Sequence, residues 1–200
     1  MYNLLASTIL LIGDSHTVGP FGKKLDELLR AEAASVVTYG SCGSIAGWWY
    51  SAQQTTCGYF KRGLDGVEFS TTTHVTPLFR NMLLEVKPDA VIIALGTNYV
   101  MNPNDDFAIR DMKKMATDIH NSGAECFWIL APDMRKFRSD LPRLNRLVTE
   151  AVSDSCRLFE SAKYTQYPAT GGDGIHYWSA SGTPIAHAWA KEASAVFFGN

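Results

Sequence analysis

The tightest constraint on this chain is the run Thr8-Ile9-Leu10-Leu11-Ile12, which stops at Gly13-Asp14-Ser15. Five apolar or β-branched residues ended by glycine predict a central parallel strand, buried on both faces. Behind it, Val18, Phe21, Leu25, Leu28 and Leu29 recur at helical spacing. Ser15 therefore falls where a strand ends and a helix begins. In an open parallel sheet, ligands bind at that edge, beyond the carboxyl ends of the strands. A helix N-terminus there presents free N–H groups and a partial positive charge. A serine hydroxyl in that place can cap the helix, hold an anion or act as a nucleophile.

The rest of the chain alternates. Further strands are predicted over 35–39, 90–95, 125–130 and 157–160, and helices over 17–32, 77–86, 106–122, 139–154 and 179–197. Five strands with helices between them predict an α/β fold, a parallel sheet covered on both faces by right-handed crossovers. The 200 residues suit a single domain, 1–200. The stretch 44–75 is rich in Trp, Tyr, Thr and Gly, reads as irregular, and is too long for a connector, which marks it as functional. An apolar content of 46% excludes disorder, and 19% charged residues with a net charge of -2 supply no basic field for nucleic acid or an anionic membrane. No apolar run reaches bilayer-spanning length, so membrane insertion is not expected. Residues 1–12 superficially resemble a signal peptide. They lack a basic start and a small-residue cleavage site, so they are read with the first strand, and any export signal as already removed or never included in this sequence.

Three glycine-punctuated strand ends fall on one edge of such a sheet. They deliver Ser15, Gly43 and Asn98, and a later loop delivers Asp173 and His176. The chemistry of these residues is complementary. Serine is a weak nucleophile until a base takes its proton, and histidine, with an ordinary pKa near neutrality, is the obvious base. A carboxylate three residues before His176 can turn back to fix its tautomer. The Ser15 N–H, the Gly43 N–H and the Asn98 amide are three donors for an oxyanion. Asp14, beside the serine, is expected to point elsewhere in a structural role. No C-x-x-C pair is present, so no zinc or other metal is expected, and nothing calls for a cofactor.

Four blocks in this order, Gly13-Asp14-Ser15, Gly43, Gly96-Thr97-Asn98 and Asp173-Gly174-Ile175-His176, resemble the SGNH, or GDSL-type, hydrolase family. The resemblance runs from residue 13 to residue 176. It implies a flavodoxin-like three-layer α/β/α sandwich, a five-stranded parallel sheet in the order 2-1-3-4-5, and ester hydrolysis through an acyl-serine. It carries the nucleophile to Ser15, the base to His176, its orienter to Asp173, and the oxyanion hole to Ser15, Gly43 and Asn98. Gly40 competes with Gly43 for the second block. His16 departs from the family, which often has leucine there, and is expected at the pocket wall.

Trp48, Trp49 and Tyr50 follow the Gly43 loop. Flat aromatic faces there suit sugar rings or apolar acyl chains, so Trp48 and Trp49 are candidate substrate-binding residues; alternatively they anchor the insertion to the core. Trp178 is expected to pack behind the His176 loop, and His74, His120 and His187 to be surface or packing residues. Four cysteines permit two disulfides, or are four buried thiols of a cytosolic protein. Cys42 and Cys57 bracket the start of the insertion, where a bridge would hold Gly43. Cys126 at the start of one strand and Cys156 just before its neighbour fall together at the amino-terminal edge. Bridges would imply a periplasmic or secreted protein.

The function expected is a serine esterase for small acyl esters, acetyl among them, with a small-molecule or glycan ester as its partner. Acyl transfer to a sugar hydroxyl fits the same residues. From a different class, a flavin- or phosphate-binding module would use Ser15-His16-Thr17, against the charge of Asp14. A catalytically silent binding protein ranks last because all the reactive residues are present. The chain has no G-x-S-x-G elbow, which disfavours the ordinary α/β-hydrolase fold.

Overall fold

Side chains alternate along a strand, so a strand buried on both faces feeds two cores. The first strand, β1 (Thr8–Gly13), does so: Leu10 and Ile12 enter one core, Ile9 and Leu11 the other. The computed structural model describes residues 7–199, and the residues before them, read above with the first strand, lie outside. Next come β2 (Ser35–Ser41), β3 (Gln54–Thr55), β4 (Tyr59–Arg62), β5 (Glu68–Thr71) and β6 (His74–Val75). The last three are β7 (Ala90–Ala94), β8 (Glu125–Ile129) and β9 (Arg157–Phe159). Five of these run parallel in the order β2-β1-β7-β8-β9, which is the expected 2-1-3-4-5.

The sheet is nevertheless seven-stranded and mixed rather than five-stranded and parallel. β4 and β5 add an antiparallel hairpin outside β2. The insertion is thus not irregular. Its hairpin turns at Asp65-Gly66: the Asp65 side chain accepts from the Val67 N–H, and Gly66 takes φ +74. A short β3–β6 pair forms a second, two-stranded sheet. Arg62 anchors the hairpin to the body by pairing with buried Asp26, which also binds Arg30 and accepts from Thr38.

The helices are α1 (Ser15–Val18), α2 (Pro20–Glu32), α3 (Trp48–Ser51), α4 (Phe79–Val86), α5 (Asp105–Ser122), α6 (Leu141–Val152) and α7 (Thr183–Phe198). The single helix expected over 17–32 is broken, because Gly19 is extended and Pro20 starts a new helix. Phe21, Leu25 and Leu29 of α2 meet Trp189, Ala190 and Ala193 of α7 over one face of the sheet. Met82 of α4, Met112 of α5 and Leu147 of α6 cover the other. Three layers result. Each fully buried side chain of this size stabilises them by roughly 1.5–3 kcal/mol. Both expected disulfides form, Cys42–Cys57 with Cα atoms 5.5 Å apart and Cys126–Cys156 with Cα atoms 4.5 Å apart. No helix among the described residues is long and apolar enough to cross a membrane.

Candidate active site

Glycine lets α1 sit directly on the strand ends. A Cβ on Gly13 would fall 1.9 Å from Thr17 Oγ1, and one on Gly40 would fall 2.8 Å from the Val18 N. Gly40 is therefore a packing glycine. Gly43 is the one in a loop, at φ +81. The helix N-cap is Asp14 rather than Ser15: its Oδ1 accepts from the His16 N–H at 2.9 Å. Burial raises the Asp14 carboxyl to about 7, against the pull of that N–H.

With the cap supplied by its neighbour, the Ser15 hydroxyl is available. Its Oγ lies 2.9 Å from His176 Nε2, and His176 Nδ1 lies 2.5 Å from Asp173 Oδ2. Ser15 is buried, His176 partly so, and Asp173 half exposed. The other Asp173 oxygen accepts from the backbone N–H groups of Ile175 and His176 at 2.9 and 2.8 Å. Partial burial works to raise the Asp173 carboxyl. The His176 ring and the two N–H groups outweigh it and hold the carboxyl well below the usual range.

The other side of the site is a second network. Asn98 Nδ2 donates to Ser44 O at 3.0 Å and to Asp14 Oδ2 at 3.3 Å, so it ties three strand ends together. The Ser44 loop is pinned in turn: Ala46 N–H donates to Tyr99 Oη, and Tyr99 Oη and Gly47 N–H both donate to Asp111 Oδ2. Neither the Ser15 nor the Gly43 backbone N–H has a hydrogen-bond partner among the described residues. The structure thus brings Ser15, His176 and Asp173 into one hydrogen-bonded line. It sets Asn98 beside that line and the Gly43–Ser44 loop beside Asn98.

No family model matches the chain, and no curated protein matches it by sequence. Solved structures do. A psychrotrophic esterase, EstA, from Pseudoalteromonas sp. is 12% identical with a TM-score of 0.62, over 97% of this chain and 100% of that one. A GDSL-like lipase from Bacteroides thetaiotaomicron is 14% identical at a TM-score of 0.56, over 96% and 89%. A peptidoglycan O-acetylesterase is 14% identical at a TM-score of 0.59, over 96% and 91%. The chain has the SGNH hydrolase fold.

On this SGNH scaffold the outer residues differ from expectation in informative ways. Trp49 is fully buried in the core, so it anchors the insertion and is not a substrate surface. Trp48 is half-buried, with its ring edge over Gly43. Trp178 does not pack behind the His176 loop. It is exposed and stacks on the His176 ring, at 4.5 Å and 28°. His16 lies beneath, buried, 5.6 Å from the His176 ring and 5.6 Å from that of Trp189. Desolvation, and next to it the proximity of His176, lowers His16 to about 3. His74 stacks on Tyr59, and His120 and His187 are exposed.

Two residues absent from the sequence reading brace the candidate site. Tyr167 Oη accepts from the Gly174 N–H and donates to His176 O, holding both ends of the Asp173–His176 turn. Asp133 accepts from the Tyr167 N–H and, through its carbonyl, from Tyr177 Oη. Asp133 stands just past the end of β8, a strand-end carboxylate that could have been read. Tyr167 carries no local signal.

Proposed function

We propose that the protein is a serine ester hydrolase for small acyl esters, acetyl esters of a carbohydrate foremost, acting through an acyl-serine. One observation carries the reading: the Ser15–His176–Asp173 line ends at a hydroxyl whose own backbone N–H, like that of Gly43 in the loop Asn98 holds, has no hydrogen-bond partner among the described residues. Ser15 Oγ attacks the ester carbonyl and passes its proton to His176 Nε2. Asp173 keeps the His176 proton on Nδ1, so that Nε2 is free to accept, and steadies the imidazolium that forms. The oxyanion meets the Ser15 and Gly43 N–H groups and Asn98 Nδ2, whose long bond to Asp14 yields to the stronger acceptor. His176 then returns the proton to the departing alcohol. Water, activated by the same histidine, releases the acid.

Proteins sharing the fold, described as an esterase, a GDSL-like lipase and a peptidoglycan O-acetylesterase, support the reaction class. A phosphate or flavin module is less well supported, because the Asp14 carboxylate already occupies the helix N-terminus such a ligand needs. We place the protein in an oxidising compartment, periplasmic or extracellular, on the strength of its two disulfides.

The test is Ser15→Ala. It should fold normally and lose nitrophenyl acetate and glycan acetate hydrolysis by a factor on the order of 10⁶ in kcat. Wild-type turnover by that variant would remove Ser15 from the reaction. Adding a sugar acceptor and measuring free acid against new ester separates hydrolysis from transfer.

A further inference from the structure

Of the five tryptophans in the chain, Trp178 is the most exposed, at 45%. We propose that its exposed surface is the platform for the alcohol half of the ester, and that this alcohol is a pyranose ring.

The argument begins with which half of the substrate can reach it. One face of the indole stacks on the His176 ring, tilted from it by 28°. His176 Nε2 is the atom that hands a proton to the departing alcohol oxygen. Whatever hangs from that oxygen must therefore leave past Trp178. The carbonyl oxygen points the other way, toward Gly43 and Asn98. Trp178 is placed to touch the alcohol, and Trp48, over Gly43, is placed on the far side.

The kind of alcohol follows from the surroundings. An aliphatic chain is bound by enclosure, and this indole is open to water. The chain just beyond it is polar, with the Ser179 and Ser181 hydroxyls 3.3 Å apart. Its own Nε1–H has no protein partner among the described residues. A flat apolar face with donors and acceptors around it complements a pyranose, which has C–H groups on its faces and hydroxyls on its rim. The platform is also fixed in advance. The Nε1 edge seats on Gly19, where a Cβ would come within 2.0 Å of Nε1. Little ordering is left to occur on binding.

The proposal rests on the serine-ester reading, so the experiment separates binding from turnover. Wild type, Trp178→Phe, Trp178→Ala and Gly19→Ala are assayed on an O-acetylated methyl glycopyranoside, on phenyl acetate and on ethyl acetate. The Ser15→Ala protein is titrated with the pyranoside acetate while indole fluorescence is followed. Trp178→Ala should raise KM for the sugar ester by a factor on the order of ten more than it changes KM for ethyl acetate, and the loss on the sugar ester should lie more in KM than in kcat. Trp178→Phe should recover most of the loss. Gly19→Ala, whose Cβ would meet the indole first, should shift the sugar-ester KM in the same direction as Trp178→Ala. The fluorescence of Ser15→Ala should saturate with the sugar ester, and the change should vanish in Ser15→Ala/Trp178→Ala. Equal losses on all three esters would make Trp178 a mere support for His176 and overturn the platform. A loss confined to phenyl acetate would overturn the sugar. If wild type turns over no ester while the Trp178-dependent titration persists, the platform stands and the esterase reading falls.

Discussion

Asp14 and His16 flank Ser15 and are both buried, yet burial moves them in opposite directions. Asp14 rises from 3.8 to about 7, and His16 falls from 6.5 to about 3. The folded protein takes up the Asp14 proton where the unfolded chain does not, so that contribution is lost as pH rises through about 7. The folded protein refuses the His16 proton where the unfolded chain accepts it, so that contribution is lost as pH falls from 6.5 toward 3. Between 3.8 and 6.5 the two nearly cancel. His16→Leu should uncover the Asp14 contribution: urea midpoints at pH 4.5 and 6.5 should differ little in wild type, and the variant should be clearly more stable at the lower pH. A variant with the wild-type profile would show that His16 already titrates freely in the fold. The sequence exposed His16 as a departure in the GDS block. Its place under the His176 ring depends on Tyr177 and Trp189, which no local pattern brings to it.

At the scale of elements, the two disulfides occupy opposite edges of the sheet and should act differently. Cys42–Cys57 joins the end of β2 to the start of β4, with Gly43 next in the chain. Cys126–Cys156 joins β8 to the turn before β9, at the amino-terminal edge. Replacing Cys42 and Cys57 by serine should lower the melting temperature and also lower kcat by roughly tenfold, since a loosened donor costs less than the 10²–10³ of a lost one. Replacing Cys126 and Cys156 should lower the melting temperature alone. Equal kcat in the two double variants would show that Gly43 keeps its place without the bridge. The central parallel strands β1 and β7 were legible because each is an apolar run ended by glycine or a turn. The β4–β5 hairpin was not, because Tyr59-Phe60-Lys61-Arg62 alternates poorly and β5 is almost wholly exposed. Its one clear signal, Asp65-Gly66, is a hairpin turn dipeptide and was there to be read.

Across the whole molecule, the parallel order carries four segments distant in sequence to one rim, and that much follows from strand order alone. What holds them there is long-range: Tyr99 with Asp111, Tyr167 with His176, Asp26 with Arg62. The disulfides belong to this scale too, because they act on the unfolded chain. They close separate loops with separations of 15 and 30 residues. Chain-entropy arguments give about 3 and about 4 kcal/mol, and because the loops do not overlap the two add to about 7 kcal/mol. A folded domain has a total margin of only about 5–15 kcal/mol. A protein stabilised this way suits an oxidising compartment and is poorly suited to a reducing one. Titration of the denatured, unreduced protein should find none of the four thiols free. Full reduction should then lower the melting temperature by roughly 14–28 °C, at about 2–4 °C per kcal/mol for a chain of this length. Four free thiols, or a melting temperature that reductant leaves within about 2 °C of its starting value, would remove the bridges from the stability of the fold and the periplasmic or extracellular placement with them.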